Sequence, residues 1–225
     1  MDRTPDTFAF NVKAFRELTY HDRIEPRQAT FDAFRESLAP AREAGKLRAV
    51  LFQFPPWFTA SETNVEYLRS LPERMPEELV AVEFRHVSWL EKARRDWTLN
   101  VLRESNLAYS MVDAPQIGTG TSPKVVDATN AQVAIIRLHG RNKESWYKPV
   151  ATTAERFNYH YSIPELAEWL PDVGWLDDRT DEVHLLMNNN MSNYAVANAR
   201  DLQLLLNLPQ PELPQQQQLP LDEVG

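Results

Sequence analysis

Charged and amide side chains recur at the ends of apolar runs along this 225-residue sequence, and their types are those of acid–base and anion chemistry. Glu83 stands between Val82 and Phe84 in VAVEFRH, so strand alternation turns its carboxylate into the interior of a barrel or sheet. An inward carboxylate needs a partner. Arg85 lies two positions on, on the same strand face, and Arg137 or Lys13 could reach it across the mouth. Two roles stay open for Glu83: a structural ion pair, or, if burial raises its pKa, a general acid or base. Asp113 would then be a second carboxylate in a different environment, and His139 completes the candidate catalytic set.

Lys13, Arg85, Arg137 and Arg141 together make a cationic mouth suited to phosphate, carboxylate or another anion, with arginine able to bind bidentately. Gln53, His86, Asn142, Asn188 and Asn189 follow or end the same runs and add polar contacts, although Asn188–Asn190 is equally good turn chemistry. Trp57, Trp89, Trp146 and Tyr147 could stack on a sugar or base; a loop tryptophan also packs down for purely structural reasons. A metal site is the weaker reading. Only His86 and His139 of the five histidines fall at strand ends, no HExxH is present, and Glu83, His86, His139 and Asp113 would be the only donors, so none is expected.

The elements that must position these residues alternate. Apolar β-rich runs at Phe8–Val12, Arg48–Phe54, Leu79–Phe84, Leu107–Val112, Val133–Leu138 and Val183–Met187 are separated by segments of helical character. Phe31, Phe34, Leu38 and Ala41 share a helix face ahead of Gly45, which sits at a C-terminal stop. Ser61 caps a helix reaching Arg74 that Pro72 and Pro76 help to end, Asp96 caps another, and Ser162 with Pro164 opens PELAEWL. A last helix spans Tyr194–Leu206, and Gln116–Asn130 reads as a polar loop. Such βα alternation gives an α/β fold, either an open doubly wound sheet or a barrel; in both, ligands bind beyond the carboxyl ends of the strands. Residues 209–225, rich in proline and glutamine, are expected to be a disordered tail behind a domain over 1–208.

Composition narrows the function classes. The absence of cysteine removes disulfides, thiolate metal ligands and a cysteine nucleophile. A net charge of −8 sets the whole-molecule field against polyanions, so nucleic-acid binding needs a local basic patch. Six glycines form neither GxGxxG nor GxxxxGK[ST]. No apolar run approaches the roughly 18 residues of a membrane span, and MDRTPDTFAF lacks a signal pattern, so no membrane partner and a cytoplasmic location are expected.

The motifs VKAFRELTYHD, LFQFPPWF, VAVEFRHVSWL, IIRLHGRN and MNNNMSNYAVANA, in this order, resemble the YecE-like family, the seventy-second domain of unknown function in its series. The resemblance runs through residues 7–208 and rests on Lys13, Gln53, Pro55, Glu83, Arg85, His86, Trp89, Arg137, His139, Gly140, Arg141, Asn188, Asn189 and Asn198. It implies a TIM (β/α) barrel and supplies no activity, substrate or cofactor. The fold's likeness to the endonuclease-IV and xylose-isomerase group brings nucleic acid or sugar ligands in by analogy only. Family members carry two further strand–helix units before FAFNVKA, so about six of eight units are expected here, an N-terminally truncated barrel. The leading expectation is an enzyme of undetermined reaction that binds a phosphorylated or other anionic small molecule at the rim. The alternatives are a nucleic-acid-binding or processing protein and an inactive truncated fragment.

Overall fold

A computed structural model describes residues 4–148 and 152–209. The tail expected over 209–225 therefore lies outside the described residues, except for Pro209.

Among the described residues six strands form one parallel sheet in the order of the sequence: β1 (Phe10–Lys13), β2 (Leu47–Gln53), β3 (Val80–Glu83), β4 (Ala108–Asp113), β5 (Val133–Leu138) and β6 (Glu182–Met187). A doubly wound sheet reverses its strand order at a switch point; this sheet never does, so its connections run one way around, as in a barrel. The curl is visible in side chains. Asn11 of β1 lies 2.7 Å from the His184 Nδ1 of β6, and Arg48 of β2 donates to Glu182 of β6 at 3.0 Å, although neither pair belongs to neighbouring strands. The result is a curled half-barrel. Its middle strands are buried throughout, whereas β6 and most of β1 are half-buried, as the two edges of an arc must be.

Two apolar layers follow from strand alternation. Residues facing outward, among them Phe52, Val82, Tyr109, Met111 and Ile136, pack under the helices with Phe31, Leu68, Leu102 and Trp169. Those facing inward at the amino-terminal half are small or aliphatic: Ala49, Leu51, Ala81, Ala108 and Ile135. The inward register then continues upward into polar residues, because Gln53 pairs with Glu83 and Val112 with Arg137. Thus the sheet's inner wall changes from apolar to ionic within two residues of its carboxyl rim.

The helices are α1 (Gln28–Glu43), α2 (Glu62–Arg74), α3 (Arg95–Glu104), α4 (Thr153–Arg156), α5 (Ile163–Ala167), α6 (Leu170–Asp177) and α7 (Tyr194–Leu205). Ser61 accepts the Asn64 amide at the start of α2, and Gly45 takes φ +66° after α1. Three expectations change. Asp96 sits inside the first turn of α3 and not at its cap; α2 runs through Pro72; and PELAEWL is split between α5 and α6, the second helix beginning at Leu170 with Pro171 in its first turn. No helix separates β4 from β5. Thr129 replaces it as an anchor, accepting the Tyr109 amide and donating to the Leu107 carbonyl, while Ser122 donates to the Phe84 carbonyl.

Candidate anion-binding site at the strand ends

The ionic layer is built around Glu83, which is fully buried. Arg137 Nη1 donates to its Oε2 at 2.6 Å, and Arg85 Nε lies 2.7 Å from Oε1 in a close charge contact. That contact is electrostatic, for neither Oε1 nor the Arg85 Nε has an aligned hydrogen-bond partner. Gln53 Oε1 sits between the arginines, 3.3 Å from Arg137 Nη1 and 3.4 Å from Arg85 Nη2. Burial opposes ionisation of Glu83, but the guanidiniums of Arg137 and Arg85 overcome it and hold the carboxyl well below the usual carboxylate range. Of the two roles left open for Glu83, the ion pair is present, and the raised pKa that acid–base work would need is not. Glu83 is thus ionised, out of reach of solvent, and paired with two cations.

His139 lies behind it, also fully buried. Arg137 Nη2 donates to Asn188 Oδ1 at 3.1 Å, and since a guanidinium cannot accept, that atom of the carboxamide must be its oxygen. The Asn188 amide nitrogen lies 2.8 Å from His139 Nδ1, and the other ring nitrogen, Nε2, lies 3.3 Å from Glu83 Oε1 and 3.0 Å from Arg85 Nη2. Burial and the Arg85 charge, against the opposing pull of Glu83, lower the His139 pKa to about 3, so the ring is neutral at physiological pH. An unfolded histidine titrates near ~6.5. The folded state therefore refuses a proton that the unfolded state takes up as pH falls from there towards 3, and stability is lost across that window. His139→Gln should flatten the fall of stability between pH 6 and pH 4 by one proton, about 1.4 kcal/mol per pH unit. Denaturant titrations across that range check this, and an unchanged slope would mean that the ring titrates normally.

Above this layer opens a cleft of about 530 Å³ lined by Lys13, Gln53, Arg85, Arg137, Trp146, Tyr147, Arg156, Phe157, Asn188 and Asn190, with Pro56 and Gly120 at its edge. Four of these residues are cationic and none is acidic. The Arg156 Nε is buried without a hydrogen-bond partner, and among the described residues no carboxylate lies within ion-pair distance of Lys13 or Arg156. A chain of net charge −8 has thus gathered a positive pocket at the carboxyl ends of its strands. The aromatic side is fixed from the β4–β5 connection: Tyr147 donates to the Ile117 carbonyl at 2.8 Å, its hydroxyl 3.1 Å from where a Cβ on Gly120 would stand. Trp146 lies under Arg85, 5.9 Å from ring centroid to guanidinium carbon.

Of the residues singled out in the sequence, Lys13, Gln53, Arg85, Arg137, Trp146, Tyr147 and Asn188 come together in the cleft, with Glu83 and His139 beneath them. The others do not join them. Asp113 follows the inward Val112 and so faces outward, where it accepts Trp169 Nε1 at 2.8 Å and Arg141 at 2.7 Å. Arg141 also reaches Glu168, so its charge is shared between two carboxylates outside the cleft. His86 accepts the Ser88 amide at the start of a short 3-10 turn, and Trp57 donates to the Tyr20 carbonyl beneath Arg23. Asn142 closes a turn by accepting from Glu144 and Ser145, and Asn189 is buried against Asn198 and the Tyr159 carbonyl. Asn198 in turn grips both the amide and the carbonyl of Tyr161, which gives that helical motif residue a structural role. Among the described residues no three His, Asp or Glu side chains gather as a metal site. Arg156 and Phe157 were not among the site candidates, whereas Tyr147, one of the aromatic candidates, does line the cleft. Arg156 carries no motif, and only the return of α4 over the rim, with Ser145 donating to its carbonyl, brings it there.

Comparison with known proteins agrees with the architecture. The family profile described as "Protein of unknown function DUF72" matches residues 1–221. The UPF0759 protein YunF of Bacillus subtilis (strain 168) is 37% identical over 212 residues, covering 91% of this chain and 75% of that protein. A crystal structure of a DUF72 family protein from Enterococcus faecalis V583 superposes with a TM-score of 0.85 at 30% identity, covering 95% of this chain and 79% of the other. One from Thermotoga maritima MSB8 gives 0.81 at 32% identity, covering 92% and 76%. No helix among the described residues is long and apolar enough to cross a membrane.

Proposed function

This chain belongs to the DUF72 family of proteins of unknown function, and from that premise we propose that it binds a phosphorylated or otherwise multiply anionic small molecule at the carboxyl rim of a TIM-type barrel. One observation carries the reading: among the described residues four cationic side chains and no carboxylate line a single cleft, and a buried, ionised Glu83 presets two of them. An arginine whose rotamer is already fixed loses little entropy when it meets an anion, so the site is organised before the ligand arrives. Arg137 engages Glu83, Gln53 and Asn188 through three of its contacts, and a guanidinium carries five N–H donors, which leaves some for the cleft. The aromatic flank of Trp146, Tyr147 and Phe157 suits a ring or an apolar stretch attached to the anionic group.

The test is a thermal-shift panel of pyrophosphate, sugar phosphates, nucleotides and short single- and double-stranded oligonucleotides. Any ligand that prefers the native state raises the melting temperature, by an amount worth about 2.7 kcal/mol at a hundredfold excess over Kd. Stabilisation by small di- or polyanions that weakens with salt is the expected result. Stabilisation by oligonucleotides alone, steeply salt-dependent, would move the reading to nucleic acid. A sharp melt that no anion shifts would sink it, and a broad non-cooperative melt would point to an inactive fragment.

A further inference from the structure

We propose that Lys13 is a nucleophile that forms an imine with the carbonyl group of an anionic ligand held by Arg85 and Arg137. This rests on the anion-binding reading of the cleft and adds to it a class of ligand, an aldehyde or ketone bearing phosphate or carboxylate, and a covalent step.

The placement comes from the register. Lys13 is the last residue of β1 and pairs with Leu51, whose side chain belongs to the inner layer, so the lysine enters the same wall as Glu83 and Arg137. It lines the cleft beside Arg85, Arg137 and Asn188, and its side chain is open to solvent on one flank. Two of the other five lysines are engaged: Lys46 donates to the Thr4 carbonyl, and Lys124 pairs with Asp172 at 2.8 Å. Lys13 has no such carboxylate among the described residues.

An amine attacks a carbonyl only when neutral, and the surroundings favour that form. Partial burial first, then the charge of Arg137, lower the Lys13 pKa; Glu83 pulls the other way and Arg85 adds to the lowering. The arginines would act twice, by disfavouring the ammonium and by holding the ligand's anion so that its carbonyl stands near Nζ. In the step itself the Nζ lone pair forms a C–N bond as the carbonyl π pair moves to oxygen. The carbinolamine takes up a proton at that oxygen, gives one up from nitrogen, and loses water to leave C=N. The bound anion then favours the protonated imine. No oxidant or further reactant is needed.

The experiment uses pyridoxal 5′-phosphate as the probe, because it combines an aldehyde, a phosphate and a flat ring that fits the aromatic flank. The full chain is incubated with it, reduced with borohydride, digested and mapped by mass spectrometry across its six lysines. Lys13 should carry the dominant adduct, and excess pyrophosphate, or omission of the probe's phosphate, should suppress that adduct about tenfold or more, the value of one charge-assisted contact. Lys13→Gln should abolish it while melting like the wild type. Adduct spread evenly over the lysines, or a Lys13 adduct indifferent to pyrophosphate, would overturn the proposal. Pyrophosphate that raises the melting temperature while Lys13 stays unmodified would overturn the imine and leave the anion site standing. If neither occurs, the anion site fails and the imine with it.

Discussion

Glu83→Gln is expected to cost about 3–5 kcal/mol of stability, the usual consequence of removing one member of a buried ion pair and leaving the other charge uncompensated. In this chain two buried guanidiniums are left facing each other, with Lys13 close by. For a domain of this size the loss corresponds to a fall in Tm of roughly 10 °C. The effect should depend on pH. The carboxyl titrates well below its unfolded value, so its contribution is complete above the unfolded pKa, near ~4.3, and is lost as pH falls through the folded one. Wild type and variant should therefore differ most at neutral pH and converge in acid. A double variant, Glu83→Gln with Arg137→Met, should lose less than the sum of the single losses, because the second change removes one of the stranded charges. Thermal and denaturant unfolding of the four proteins closes that cycle. A Glu83→Gln protein within 1 kcal/mol of wild type, on the scale of an ordinary surface change, would mean that the carboxylate does not hold this layer together.

Arg137→Met should weaken pyrophosphate binding roughly 30- to 100-fold, about 2–3 kcal/mol, since it removes a positioned charge together with its directional donors. Arg137→Lys should fall between, keeping the charge and losing the planar fork. Both variants leave Glu83 paired with Arg85, so circular dichroism at the titration temperature should still show the folded α/β spectrum. Equal affinities for the three proteins would place the anion elsewhere.

Much of this architecture was legible in the sequence because it rests on local signals. The run Val133–Leu138 is a strand at those residues, and the shift from Phe8–Val12 to Phe10–Lys13 is a matter of ends. The break between α5 and α6 was not legible, since PELAEWL continues a plausible helical face across it. Glu83 could be turned inward from its alternation with Val82 and Phe84 alone. The same rule applied one strand later would have turned Asp113 outward, because Ser110 and Val112 take the inner wall. Proximity to a strand end was given more weight there than parity. Arg85 and Arg137 could be named as partners of Glu83, but choosing between the ion pair and a raised pKa depends on two guanidiniums arriving within 3 Å of one carboxylate, one of them from a strand 54 residues away. The residues on which the resemblance rests also divide once they are placed. Trp89, which donates to the Phe58 carbonyl, and Asn198 hold the scaffold, whereas Arg85, Arg137 and Lys13 face the cleft.

The most direct measurement is a calorimetric titration of pyrophosphate into the wild-type chain at low and at physiological salt. A preset cationic cleft predicts saturable binding at one site that weakens as salt rises. Heats indistinguishable from dilution at both salt concentrations, in a protein that melts cooperatively, would contradict it.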